Sequence, residues 1–257
     1  MKSSFLLLAC VVLLGLSSGG QADELKNHFY KKLCPQAEQM VQDLVWASVA
    51  NNSALPAKLL RLFFHDCFVR KPLWKVKTGR RDGNVSLASE ALADIPSAGA
   101  NFTKLVQQFA SKDLDVKDLV VLSGAHTIGV GHCGIIRNRL YNFTGKGDTD
   151  PSLNATYAAF LKTQCSPTDR TTTVEMDPGS SLLFNDHYYV ILKQKEGLFQ
   201  SDAALLTDGK SSKIVDKLLD SGDFFDAFRK SITRMGNIGV LTGTDGQIRN
   251  NCRAVNR

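Results

Sequence analysis

Apolar residues recur at helical spacing along most of the chain. From Pro35 to Ala50, Met40, Val41, Leu44, Val45 and Val49 share one helical face, and Pro35 suits a first turn. Pro56 to Phe68 continues the pattern with Leu59, Leu60, Leu62, Phe63 and Phe64. Further helices are expected over Phe102–Ala110, Asp115–Ser123, Pro151–Lys162, Phe184–Lys195, Lys213–Leu219 and Gly222–Gly236. Asp115, with Asp118 three positions on, is arranged much like a capping box, and Ser221 is placed to cap the last helix. Strand signals are few, with Leu73–Val76 the best, and no internal repeat is present. The pattern predicts an all-α fold.

One stretch is apolar without periodicity. Phe5 to Leu16 follows Lys2 and precedes the small and polar residues Ser17 to Ala22. It is too short to span a bilayer and reads as a secretory signal over 1–22, with 23–257 as the exported domain. No later stretch is apolar enough to cross a membrane. Export gives the cysteines meaning. Of the 6 in the chain, Cys10 leaves with the signal, and Cys34, Cys67, Cys133, Cys165 and Cys252 remain. That odd number in an oxidising compartment leaves at least one thiol without an internal partner. Acceptor sequons at Asn51, Asn84, Asn101, Asn142 and Asn154 fit a glycosylated surface.

With 43% hydrophobic and 22% charged residues, the chain can build one core or two tightly packed lobes, and wholesale disorder is excluded. The net charge of +6 comes from scattered basic residues that are not interleaved with aromatics. This argues against nucleic acid and allows weak attraction to acidic polysaccharide.

Two runs carry candidate chemistry. In Leu59-Leu60-Arg61-Leu62-Phe63-Phe64-His65-Asp66-Cys67-Phe68-Val69, Arg61 and His65 stand four apart and share a helical face among apolar neighbours. A neutral histidine there could accept a proton beside a permanent cation that stabilises an anion. A structural histidine with a surface arginine explains the same spacing. In Val120-Val121-Leu122-Ser123-Gly124-Ala125-His126-Thr127-Ile128-Gly129, Gly124 and Ala125 would let a bulky planar ligand approach His126. Capping of its own helix by His126 is the plain alternative.

Taken together, these runs resemble the class III, or secretory plant, haem peroxidases. Thr78 to Gly83 (TGRRDG), Arg139 to Phe143 (RLYNF), Met176 to Ser180 (MDPGS), Gly197 to Asp202 (GLFQSD) and the C-terminal RMGNIGVLTGTDGQIRNNC follow in the family's order. The resemblance implies a helical fold of two lobes around a crevice for haem b, with His126 as the proximal iron ligand and Asp202 as acceptor of its second N–H. It implies that His65 moves a proton of hydrogen peroxide and that Arg61 stabilises the developing charge. Phe64 would limit access, and Pro96 would meet small phenolic donors, each oxidised by one electron. Thr127, Asp177, Ser180, the Leu183 carbonyl and Asn185 match a proximal calcium site, where oxygen ligation suits a hard cation. Asn185 stands where the family usually has Asp, so this site has one negative charge fewer. Asp66 and the Val69 carbonyl match the start of a distal calcium site. Cys133 and Cys165 match a bonded pair. A secreted monomer, in cell wall or vacuole, is the expected form.

The chain departs from the family after Arg70. A block that carries the remaining distal calcium ligands, an Asn partner for the distal His and two helices is missing, and Lys71 follows directly. The family partners of Cys34, Cys67 and Cys252 lie in that block. Two functions therefore stand beside each other: an active peroxidase, and a non-catalytic or weakly active truncated isoform that binds haem or wall polymers. A zinc site from His126, His132, Cys133 and Cys165 is a third reading, lacking the paired spacing usual for zinc.

Overall fold

The computed structural model describes residues 25–66 and 77–256, with backbone alone for 62–66. The expected strand Leu73–Val76 lies outside the described residues. The chain divides into two compact units.

The smaller unit comprises 25–35, 77–86 and 240–256. Isolated antiparallel bridges join Lys26 to Thr78, Arg81 to Leu241 and Asp82 to Gln247. Gly79 has a φ of +106°, and the Phe29 ring occupies the space where a side chain at 79 would stand.

The larger unit is helical. In chain order it contains α1 (Ala37–Ala50), α2 (Leu55–Asp66), α3 (Ala88–Asp94), α4 (Phe102–Ala110), α5 (Val116–Ser123) and α6 (Cys133–Tyr141). There follow α7 (Ala155–Gln164), α8 (His187–Lys193), α9 (Gln200–Ala204), α10 (Gly209–Lys217) and α11 (Ser221–Met235). A short antiparallel pair, β1 (Val130–His132) and β2 (Thr173–Glu175), sets Gly131 opposite Val174. The all-α expectation holds.

Capping explains several boundaries. Asp115 accepts from the Asp118 N–H at 2.9 Å, and the Asp118 carboxylate accepts from the Asp115 N–H at 3.0 Å, so the expected reciprocal box opens α5. The cap of α11 is Asp220, which accepts from Gly222 and Asp223, and Ser221 is already inside the helix. A carboxylate there also meets the positive end of the helix dipole. Helix α7 starts later than Pro151 because Asn154 caps it through the Thr156 and Tyr157 N–H groups.

Two apolar clusters form the core. One gathers Leu119 to Leu122 of α5, Tyr188 and Tyr189 of α8, and Phe224 and Phe228 of α11. The other joins Ile136 and Leu140 of α6, Tyr157 and Leu161 of α7, and Leu198 and Phe199. Helix α5 packs on α4, α10 and α11 at the centre of the first cluster. Helix α1 differs, since none of its residues is buried and Met40 and Leu44 are 64% and 72% exposed.

Candidate functional site

Helix α5 ends at Ser123 and tightens into a 3₁₀ turn, Gly124–Thr127, that carries His126. A methyl group at Gly124 would fall on the Tyr189 hydroxyl and lie 2.7 Å from the Phe224 ring. Gly124 therefore serves close packing inside the first cluster, and the space beside it belongs to Tyr189 instead of a ligand. His126 itself faces outward, its side chain 32% exposed.

The imidazole is held from one side. His126 Nδ1 lies 2.8 Å from Asp202 Oδ1, and Asp202 is 1% exposed. The same Oδ1 accepts from the Tyr188 hydroxyl at 2.9 Å. Oδ2 accepts from the Phe199 backbone N–H at 2.8 Å, a carboxylate in the first turn of α9 reaching back to its start. Burial alone would raise the Asp202 carboxyl, but His126, Phe199 and Tyr188 outweigh it and hold the group below its ordinary value. The pair fixes the proton of His126 on Nδ1, and no described residue hydrogen-bonds Nε2. Phe199 and Tyr188 meet the imidazole edge to face at 5.2 and 6.0 Å. An imidazole with a partly exposed Nε2, unbonded among the described residues, and an anionic partner behind it has the chemistry of an axial metal ligand.

Arg139 steadies the segment that carries Asp202. Its guanidinium is 3% exposed and donates to the Gly197 and Leu198 carbonyls at 2.7 and 2.8 Å. Nε donates to Asp150 Oδ2 at 2.7 Å, and Nη2 to Ser152 Oγ at 3.3 Å. This network links α6 to residues just ahead of Phe199.

Next to His126, Thr127 faces a cluster of oxygens. Its hydroxyl lies 2.8 Å from Asp177 Oδ2, 3.0 Å from Asn185 Oδ1 and 3.4 Å from the Leu183 carbonyl. Asn185 Nδ2 donates to Ser180 Oγ at 2.8 Å. All five residues expected around the proximal cation thus converge, with Asp177 the sole carboxylate among them. His187 Nδ1 lies 2.6 Å from the other oxygen of Asp177. Burial raises the Asp177 carboxyl above its usual value, against lowering by His187 and Thr127. An all-oxygen set fits a hard cation, although one carboxylate gives it little charge to attract a divalent ion.

The remaining expectations are placed unevenly. Arg61 is exposed on α2. Phe64, His65 and Asp66 belong to the same helix by backbone, and their side chains, with Cys67 and Val69, lie outside the described residues. Pro96 is half-buried on the connection between α3 and α4. Cys133 and Cys165 form a disulfide with a Cα–Cα distance of 5.4 Å, whereas Cys34 and Cys252 are free and exposed. The disulfide removes both sulfur ligands from the zinc reading, and His126 and His132 point to separate partners, Asp202 and the Thr171 carbonyl. The zinc site is thereby overturned.

Three contributors are not evident from sequence: Arg139, Tyr188 and His187. The available signal for Arg139 is its spacing, three positions after Ile136 and next to Leu140, which sets a cation beside the apolar face of a helix, where it demands buried partners. For Tyr188 it is a hydroxyl amid the core residues of α8.

Comparison with known proteins gives consistent matches. A family model described as peroxidase matches residues 69–221. Peroxidase 56 of Arabidopsis thaliana is 42% identical over 321 residues, covering 99% of this chain and 98% of the relative. Peroxidase 24 of the same plant is 41% identical over 329 residues (97% and 94% covered), and Peroxidase 27 is 40% identical over 320 (99% and 99%). The pairing with Peroxidase 56 runs over 321 residues, more than the 257 of this chain, so that relative carries sequence with no counterpart here.

Proposed function

Because this chain belongs to the class III, plant secretory, haem peroxidases, we propose that it reduces hydrogen peroxide and oxidises small phenolic donors one electron at a time, on haem b held by His126. The observation that carries this reading is the His126–Asp202 pair, 2.8 Å apart, with Nε2 left for a metal. Haem supplies, when bound, the iron at which peroxide is reduced. Asp202 keeps the Nδ1 proton in place and lends the imidazole anionic character. Arg61 and His65, one turn apart on α2, share the work on peroxide. His65 takes a proton from it and returns it to the departing oxygen, and Arg61 stabilises the charge. Phe64 narrows the approach and Pro96 meets the donor. Thr127, Asp177, Ser180, Leu183 and Asn185 would hold calcium beside the His126 turn, while Asp66 and Val69 would supply only the start of a second site. The protein acts as a secreted, glycosylated monomer of the cell wall or vacuole, with weak attraction to acidic polysaccharide.

A specific observation favours a second reading, a truncated isoform with weak or no turnover. Its relatives carry additional sequence, α1 buries none of its residues, and Cys34 and Cys252 have no disulfide partner among the described residues. One experiment separates the two. The purified chain is supplied with haem and calcium, its absorption spectrum recorded, and phenol oxidation followed on adding peroxide. A Soret band lost in His126→Ala, together with turnover lost in His65→Ala, supports the enzyme. A His126-dependent band without turnover supports the isoform, and no band in soluble protein refutes haem binding.

A further inference from the structure

Asp202 offers four lone-pair positions, yet two of its three donors converge on one oxygen. His126 Nδ1 and the Tyr188 hydroxyl lie 2.8 and 2.9 Å from Oδ1, while the Phe199 N–H takes Oδ2. Both donors are charge-assisted, and both compete for the same electron density. The setting is dry: Asp202 is 1% exposed and Tyr188 0%. In such surroundings a hydrogen bond is electrostatically strong, and a change at one donor is felt at the other.

We propose that Tyr188 is a positioning residue that sets how much negative charge Asp202 lends to the His126 imidazole, by sharing the carboxylate oxygen that His126 uses. The proposal rests on the reading of His126 as the haem iron ligand. Tyr188 is suited to the part. Its ring is locked in the core by Tyr189, at 5.2 Å edge to face, and packs on His126 in the same way. Its hydroxyl is aimed at Asp202 Oδ1, 2.9 Å away, and donates to it. With the phenol in place, Oδ1 is divided between two protons and the pull on Nδ1–H is moderated. Without it, the Nδ1–H···Oδ1 bond tightens and the imidazole gains imidazolate character. A more electron-rich ligand favours the oxidised metal.

The test uses the full chain in two forms. In the haem-free protein, proton NMR of the His126 Nδ1–H reports the bond directly. In the haem-loaded protein, the midpoint potential of the iron reports its consequence. Tyr188→Phe is expected to move the proton resonance downfield and the potential to a more negative value. Replacement of Tyr188 by 3-fluorotyrosine, a stronger donor of nearly the same shape, is expected to move both in the opposite direction. This pair keeps the proposal exposed even if the phenylalanine variant folds poorly. A residue that only filled space would lower thermal stability and leave both readouts in place. Unchanged resonances, or shifts of the same sign for both replacements, would overturn the proposal. Failure to load haem with the NMR shifts intact would overturn the ligand reading of His126 alone.

Discussion

Arg139→Met tests the internal support of the site. The substitution keeps an unbranched apolar stem and removes the guanidinium with its charge. Asp150, 2% exposed, then keeps among the described residues the Ser152 N–H and hydroxyl as donors, at 2.8 and 2.7 Å. The Gly197 and Leu198 carbonyls lose their donor as well. Breaking a buried ion pair from one side costs about 3–5 kcal/mol, chiefly because the surviving charge stays in the interior. That is a large part of the ~5–15 kcal/mol that usually holds a domain together. Urea unfolding followed by fluorescence reads the loss. With a slope of about 2 kcal/mol per molar, the midpoint should fall by roughly 2 M. The double variant Arg139→Met/Asp150→Leu removes the stranded charge and should recover much of that loss. Hydrogen exchange over 197–202 should quicken in the single variant, since these carbonyls anchor the segment that presents Asp202. A loss below about 1 kcal/mol, the level of an ordinary surface pair, would refute the reasoning. So would a double variant no better than the sum of its parts.

Three more expectations follow from particular contacts. Cys133→Ser with Cys165→Ser opens a loop of separation 32, which the chain-entropy relation sets at about 4 kcal/mol of lost stability, measurable in the same urea assay. At Asp150, burial would raise the carboxyl, yet Ser152 and Arg139 hold it below its ordinary value. The folded state thus binds fewer protons than the unfolded one, so this stability is present above about pH 4 and disappears as pH falls through the lowered pKa; acid unfolding of Asp150→Asn should be flatter in that window. Asn185→Asp places a second carboxylate beside Thr127 and Asp177, and isothermal titration should show calcium binding tightened by at least about tenfold, the equivalent of ~1.4 kcal/mol.

Periodicity and capping make the central helices legible. Phe102–Ala110 and the Asp115 box of α5 stand where the residues predict, because local signals and core packing agree there. Helices α3, α6 and α9 fall outside the predicted set. Two are short, and α6 carries buried Arg139 among its apolar positions, which blurs the hydrophobic pattern. The His126–Asp202 partnership is legible only through family resemblance, since its members lie 76 positions apart and meet through tertiary packing. The shared oxygen with Tyr188 and the His187 contact to Asp177 follow from side-chain geometry, which spacing along the chain does not encode. Gly124 shows the opposite hazard: a small residue beside a candidate ligand suggests room for a cofactor, and its room is filled by Tyr189 and Phe224.

The bare surface of α1 has a consequence in time. Synthesis runs from the N-terminus, so Met40, Val41 and Leu44 emerge long before α8 and α11 complete the first apolar cluster. At about 5–20 residues per second, this interval lasts on the order of ten seconds or more. An apolar stripe left exposed by the described residues is also one that chaperones can hold from its first appearance onward. Escort of this stripe during translation thus bears on the yield of the chain alongside the strength of its core.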